Sequence, residues 1–206
     1  MRWLSRGYRA VVGVAVESDR ISAAARAVHE LGAAALLGGN LFARVGMHPA
    51  LAHISNPRER GAVVNAAWRR YGTVNSLALA AVVGGWLGAR SDETSDARLS
   101  GRERRLARFK DVTVAAVALT GVASAVNGVR FARMEPDGRV ALDDGSTPAE
   151  QTPKRQARAK RVLGALGGAH LAAAATLVAI NASLSQANFR RPPLRRVLRR
   201  RHQVML

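Results

Sequence analysis

Uncharged segments separated by basic stretches dominate the pattern of hydrophobic and polar positions along this chain. The longest covers residues 162–189, 28 positions without a charged side chain. As one helix these residues would extend about 42 Å, which exceeds the roughly 30 Å hydrocarbon core of a bilayer. Residues 72–89 and 112–129 are also uncharged, and the 18 positions in each are enough for a membrane span.

A fourth uncharged segment, residues 31–43, is shorter. Its 13 positions alone suit a buried helix. With residues 45–47 added it reaches across a bilayer, provided that Arg44 extends its head group to the surface or faces the bundle interior. The pattern therefore predicts an all-α fold: one membrane domain, residues 1–206, built as a four-transmembrane-helix bundle. The spans are predicted at about residues 28–47, 72–89, 112–129 and 164–187.

Two amphipathic helices are predicted to lie in the membrane interface. The first is at the N-terminus, and its apolar face is formed by Trp3, Leu4, Tyr8, Val11 and Val12. The second begins at Pro57, a favoured first helical position, with Ser55 or Asn56 as its cap. Its apolar face is formed by Val63, Val64, Ala67, Trp68 and Tyr71.

The connection between the third and fourth spans carries turn signals. Glu135-Pro136-Asp137-Gly138 predicts a turn that closes a small hairpin with residues 140–142. Asp143-Asp144-Gly145 is too short for a calcium-binding loop, so an exposed turn is expected there.

The net charge of +18 at pH 7 first suggests nucleic-acid binding. Single-strand binders, however, interleave basic residues with aromatic side chains that stack on bases, and aromatics make up only 4% of this chain. Membrane topology explains the segregated charge better, so no nucleic-acid partner is expected. The basic C-terminal tail, residues 190–206, is predicted to bind anionic lipid head groups through Arg190, Arg191, Arg195, Arg196, Arg199, Arg200 and Arg201.

The distribution of basic residues predicts the orientation in the membrane. With both termini in the cytoplasm, the cytoplasmic parts 1–30, 90–111 and 190–206 carry 19 Lys and Arg residues. The opposite side, residues 44–71 and 130–161, carries 13. The larger number of basic residues is on the cytoplasmic side, as the positive-inside rule describes. We therefore expect a multi-pass protein of the plasma membrane with both termini cytoplasmic.

Thiolate metal sites, disulfides and cysteine nucleophiles are excluded because the chain contains no cysteine. His48 and His53 are badly spaced for two ligands on one helix face, and no third ligand accompanies them, so no metal site is expected. No glycine-rich phosphate loop occurs, and no motif supports haem ligation. No cofactor is therefore expected.

Each predicted span carries a polar side chain that hydrocarbon disfavours, and all four lie in the predicted outer half of the membrane: Asn40, Asn75, Asn127 and His170. Arg44, His48 and Arg130 border the same layer. Two interpretations are open. The polar groups either form hydrogen bonds that fix the bundle, or they line a substrate pocket in which His170 acts as acid and base and the other six residues bind the substrate.

Three segments resemble a known family: Leu37-Gly38-Gly39-Asn40-Leu41-Phe42, then His48-Pro49-Ala50-Leu51, then Trp68-Arg69-Arg70-Tyr71-Gly72-Thr73-Val74-Asn75. Together with the four-span layout, this order resembles the small four-helix membrane proteins related to anthrone oxygenases, best over residues 28–90. The resemblance implies a membrane enzyme that oxygenates a hydrophobic aromatic substrate without a bound cofactor. Arginine-rich, lysine-poor composition resembles that of high-GC actinobacteria and implies a bacterial source.

Two classes of function follow. The chain is either a structural or accessory bundle that binds lipid, a protein partner or a second copy of itself, or it is a small oxygenase-like membrane enzyme. The first is favoured, because the sequence contains no complete set of catalytic residues.

Overall fold

The structure is a computed structural model. It describes the backbone of residues 2–93, 101–135 and 138–189, and the side chains of residues 21–90, 101–135 and 138–186. This described part is all-helical. Its elements are α1 (Arg2–Phe42), a π-helical turn (Ala43–Met47), the short α2 (His48–Ala50), a 3-10 turn (Leu51–His53), α3 (Pro57–Glu93), α4 (Gly101–Ala132) and α5 (Lys154–Phe189).

Among the described residues, three helical stretches are long and apolar enough to cross a membrane: Pro57–Arg90, Gly101–Ala132 and Lys154–Gln186. They contain the predicted second and third spans and residues 164–186 of the predicted fourth. The predicted first span, residues 28–47, is helical but is not among the three. Its apolar run is short, and Glu30 and Arg44 flank it.

The four long helices form a closed ring in which α1 packs on α3, α3 on α4, α4 on α5, and α5 on α1. Neighbouring helices are antiparallel. For example, His29 contacts Val82 and Asn40 contacts Asn75 across the α1–α3 pair. The centre of the ring is a buried apolar cluster to which all four helices contribute: Ala33, Leu36, Ala78, Val82, Val114, Val117 and Leu177.

Glycine allows the close approach of α1 and α3. A Cβ atom added to Gly85 would lie 2.5 Å from the backbone oxygen of Ala25, whereas one added to Gly84 would meet nothing within 4 Å. A Cβ at Gly88 would lie 2.9 Å from the Cβ of Ala25. In lipid, helix association depends on such close packing. The contact face of α3 therefore runs through Gly85 and Gly88, not Gly84.

Helix α3 begins where the sequence predicted. The Asn56 side-chain oxygen accepts a hydrogen bond from the backbone N–H of Arg58 at 2.9 Å, so Asn56 is the N-cap. The prediction of a separate interfacial helix before the second span is wrong, because α3 runs unbroken from Pro57 to Glu93. No proline interrupts residues 58–93. The N-terminal segment is likewise continuous with α1, and its side chains lie outside the described part.

Residues 138–153 form a cap over the end of the bundle where α3 begins and α4 ends. Val140 and Leu142 of this cap are buried against Leu51 and Val64. The backbone N–H of Leu142 donates to the oxygen of Pro57 at 3.0 Å. The predicted turn is present, since the Gly138 N–H donates to the Glu135 oxygen at 3.0 Å and Gly138 has a φ of 64°.

The predicted hairpin is wrong. In the described part of the cap, Leu142 instead forms an isolated antiparallel bridge with Pro148. The predicted exposed turn at Asp143-Asp144-Gly145 is also only partly correct. Gly145 is buried against His48, and its N–H donates to the His48 oxygen at 3.0 Å.

Candidate functional site

Two of the predicted polar residues meet between α1 and α3. The Asn40 amide nitrogen donates to the Leu36 oxygen at 2.7 Å and lies 3.4 Å from the side-chain oxygen of Asn75. One helical turn away, the Tyr71 hydroxyl donates to the Ala35 oxygen at 3.0 Å. These contacts bring together the segments on which the family resemblance was based.

His170 has a different partner, Thr120 on α4. The Thr120 hydroxyl donates its single proton to the Ala116 oxygen at 2.6 Å, so its oxygen accepts from the imidazole. The His170 Nδ1 to Thr120 Oγ1 distance is 3.1 Å. Nδ1 therefore carries the proton and Nε2 is an acceptor. His170 is almost completely buried, with 3% of its surface exposed.

Asn127 and Arg130 are two further predicted residues, and both lie on α4. The Asn127 amide donates to the oxygen of Ala123 on its own helix at 2.8 Å. Arg130 is exposed. Of the seven predicted site residues, the structure thus pairs only Asn40 with Asn75. His170 pairs with Thr120 instead, and Asn127 and Arg130 lie on α4. The other two are Arg44, which is exposed on the π-helical turn, and His48.

His48, just after the π-helical turn, joins the cap to the bundle. The Trp68 indole N–H is only a donor, so the His48 Nε2 atom, 3.3 Å away, accepts from it. The proton of the neutral ring is then on Nδ1, which donates to Ser146 Oγ at 3.1 Å. A serine nucleophile needs the opposite arrangement, in which the imidazole accepts the hydroxyl proton. The His48–Ser146 pair therefore holds the cap and does not activate the serine.

The His48 imidazole is kept neutral by its surroundings. Burial and the nearby ammonium of Lys160 lower its pKa to about 4, with a further contribution from Arg44 and an opposing one from Asp144. Burial raises the pKa of Asp144, but hydrogen bonds from the Ser146 and Thr147 backbone and the Thr147 hydroxyl outweigh it and place the pKa below its ordinary value.

Lys160 on α5 is a residue that the sequence analysis missed. It is 7% exposed, and its Nζ atom lies 5.7 Å from the centroid of the Phe131 ring. One feature of the sequence could have identified Lys160 as a residue that faces the bundle. It is spaced four residues from Gln156 and from Gly164, and such spacing places residues on one face of a helix. Lys160 had been counted only as one of the basic residues outside the membrane.

At the opposite end of the bundle, Asp111 connects α3 to α4. It accepts from the Trp86 indole at 2.9 Å and pairs with Arg90 at 2.8 Å. The Arg90 guanidinium also lies 5.6 Å from the Trp86 ring. Close by on α1, the His29 Nδ1 atom lies 2.7 Å from the Val82 oxygen. None of these contacts was predicted from the sequence.

The described residues contain no group of three or more His, Asp or Glu side chains placed to hold a metal ion. Comparisons with protein-family models, with curated proteins and with solved structures found no match to this chain. Inference about function therefore depends on the geometry above.

Proposed function

We propose that this chain is a non-catalytic, four-span bundle of a bacterial plasma membrane that acts as a structural or accessory protein by binding anionic lipid or a partner. Both termini are cytoplasmic, and the first span is residues 28–47. The supporting observation is that three of the polar side chains inside the apolar helices, Asn40, Asn75 and His170, are used in contacts within the bundle. Asn40 contacts Asn75, and His170 contacts Thr120. Interhelical hydrogen bonds of this kind stabilise membrane bundles by roughly 0.6 kcal/mol each.

The contact with lipid is assigned to the C-terminal tail, residues 190–206, which lies outside the described residues. Its seven arginines follow α5 directly. Near an anionic surface each basic residue contributes about 1 kcal/mol, a contribution that salt screens. The tail is therefore expected to hold the cytoplasmic end of α5 against negatively charged head groups.

Co-sedimentation tests this assignment. The full chain in nanodiscs of neutral lipid is mixed with sucrose-loaded vesicles that contain phosphatidylglycerol. We expect the wild type to sediment with these vesicles at low salt but not with phosphatidylcholine vesicles. Replacing the seven tail arginines by glutamine should abolish sedimentation, while replacing the exposed Arg155 and Arg158 on α5 should not. Equal sedimentation of the tail variant would refute the assignment.

The alternative function is an oxygenase-like enzyme acting on a hydrophobic aromatic substrate, as the family resemblance implies. One observation favours it: the segments that carry the resemblance lie side by side through the Asn40–Asn75 and His48–Trp68 contacts. In this hypothesis His170 Nε2 accepts the substrate proton. Asn40, Arg44, His48, Asn75, Asn127 and Arg130 bind the substrate.

The His170→Ala variant tests the alternative. If His170 is the base, turnover of an anthrone by the reconstituted wild type should fall at least a hundredfold in the variant, a typical contribution of general acid–base catalysis. Membrane insertion should be unchanged. Absence of turnover by the wild type, or equal turnover by both proteins, would remove the enzymatic hypothesis.

A further inference from the structure

Four exposed arginines surround the α4–α5 pair at the capped end of the bundle. We call them the arginine belt: Arg130 and Arg133 on α4, and Arg158 and Arg161 on α5. None of the four forms an ion pair or hydrogen bond with another described residue. Arginines elsewhere in the described part do so, for example Arg60 with the Asp143 oxygen and Arg90 with Asp111.

The packing of α4 against α5 places the belt at one level. The Lys160 ammonium group lies 5.7 Å from the centroid of the Phe131 ring. Because the two helices are antiparallel, each step toward the end of α4 corresponds to a step toward the start of α5. This register gives two level pairs, Arg130 with Arg161 and Arg133 with Arg158. The belt is therefore only about 4.5 Å deep along the helix axes.

The belt lies where a membrane-spanning α4 would leave the hydrocarbon. Another set of exposed arginines, near the start of α4, ends at Arg108. From Arg108 to Arg130 the helix rises about 33 Å, close to the roughly 30 Å thickness of a hydrocarbon core. Between them α4 exposes large apolar side chains: Leu119, Val122, Val126 and Val129. The belt thus has the position of lipid head groups, directly above a surface suited to acyl chains.

The positive charge of the belt has no paired counter-charge in the described part of the chain. Residues 112–134 and 154–189 contain no Asp or Glu. The first acidic residue beyond them on the α4 side, Glu135, accepts a hydrogen bond from Gln156 at 2.8 Å. This contact has the same register as the one between Phe131 and Lys160. It joins the two helices to each other and does not involve the belt.

From this arrangement we infer that the arginine belt binds the phosphate groups of anionic phospholipids in the leaflet at the capped end. Arginine binds phosphate in a bidentate manner through charge-assisted hydrogen bonds. Each arginine contacts a head group of its own, so the four do not have to converge on one phosphate. Lipids with net negative charge are favoured over zwitterionic ones. The inference rests on the proposed membrane-spanning bundle but not on its C-terminal tail.

Lipid-dependent quenching beside the belt tests the inference. The parent protein is the full chain with Val126→Cys and with the seven tail arginines replaced by glutamine, so the tail cannot contribute. Val126 is 44% exposed and precedes Arg130 by about one helical turn. Since the chain has no other cysteine, a maleimide fluorophore attaches only at position 126. Phosphatidylcholine vesicles contain a small fraction of doxyl-labelled phosphatidylglycerol or of doxyl-labelled phosphatidylcholine with the same acyl chains.

We expect phosphatidylglycerol to associate next to the label of the parent about fivefold more strongly than phosphatidylcholine, the effect of one basic residue near an anionic surface. Replacing all four belt arginines by glutamine should abolish this preference. Quenching by phosphatidylcholine should be unchanged, because the belt makes no contacts on which the fold depends.

The matched control removes the same number of exposed charges from the other end of α4. Its four positions, all replaced by glutamine, are Arg102, Arg104, Arg105 and Arg108. This control should keep the fivefold preference, because these residues lie about 33 Å or more from the belt along the helix.

Three results would overturn the inference. One is a preference for phosphatidylglycerol that persists without the belt, and another is a preference that the control loses equally. Equal quenching of the parent by both lipids would also overturn it and would favour an acidic protein as the partner of the belt. If neither lipid quenches the parent, α4 does not span the membrane, and the proposed function fails together with the inference.

Discussion

Gly84 and Gly85 are adjacent in the sequence but lie in different surroundings. Gly84 faces open space, whereas Gly85 is pressed against the backbone of α1 at Ala25 and His29. Gly84 and Gly88, four residues apart, also have the small-xxx-small spacing typical of a helix contact. Which glycine is buried depends on the rotation of α3 about its axis, and the frequent small residues of this chain do not determine that rotation.

Alanine substitution should separate the two glycines. We expect Gly85→Ala to destabilise the bundle by about 1–3 kcal/mol, because its Cβ would meet rigid backbone atoms of α1. Gly84→Ala should be neutral or stabilising by up to about 1 kcal/mol, since alanine is the better helix former. Unfolding in mixed micelles with increasing denaturing detergent measures both. Similar losses for both variants would contradict the contact face assigned to α3.

For the polar residues as well, the sequence shows which side chains are unusual but not which partners they contact. Composition identified Asn40, Asn75 and His170 as unusual for an apolar span, and all three have polar partners in the structure. The partner of His170 was not foreseen, because a threonine in an apolar helix ordinarily bonds to its own backbone. Thr120 does so and still accepts from His170.

At the level of elements, the cap is the part of the fold that the sequence predicted least well. Local turn signals predicted a small hairpin at residues 135–142 and an exposed turn at residues 143–145. Long-range contacts determine their conformation instead. Arg60 on α3 donates to the oxygens of Leu142 and Asp143 at 3.3 and 2.6 Å. Such contacts join positions about 80 residues apart, and local sequence patterns do not record them.

Docking of the cap should depend on pH through His48. The folded pKa of about 4 lies below the ordinary value of 6.5, so the docked form binds fewer protons than the undocked form between these values. Docking is therefore fully stable above about pH 6.5 and weakens as the pH falls toward 4. Protonation makes Nε2 a donor that opposes the Trp68 N–H. The lowered pKa of Asp144 adds a further loss only below its ordinary value of 3.8.

Hydrogen exchange of the Leu142 and Gly145 amides measures this docking, since both donate to bundle oxygens. After correction for the intrinsic rate, we expect protection to fall roughly fivefold between pH 7.5 and 5, a value reduced for solvent screening. In His48→Gln the protection should be independent of pH over this range. A wild-type cap with constant protection would show that His48 does not control docking.

For the whole molecule, three helices have the length and composition of spans, and the fourth member of the ring, α1, completes the bundle. The helical architecture and the approximate positions of the three candidate spans were predictable because a membrane span requires a continuous apolar run. Helix α1 is not among the three candidate spans for the same reason, because its uncharged run, residues 31–43, is the shortest of the four.

The absence of cysteine allows the orientation to be mapped with single substitutions. Glu150 in the cap and Gly101 at the start of α4 are both exposed. With both termini cytoplasmic, a membrane-impermeant maleimide should label Glu150→Cys in intact cells and Gly101→Cys only after permeabilisation. The reverse pattern would invert the topology. Labelling of both sites in intact cells would argue against a membrane barrier between the two ends.

The π-helical turn at Ala43–Met47 determines how the chain after α1 tolerates a change of length. Such a turn holds one residue more than a regular α-helical turn, and each residue of an α-helix corresponds to about 100° of rotation. Loss of one residue within the turn would therefore return it to regular α-helix and keep the direction in which the following residues point. The same one-codon deletion within α1 would rotate everything after it by about 100°.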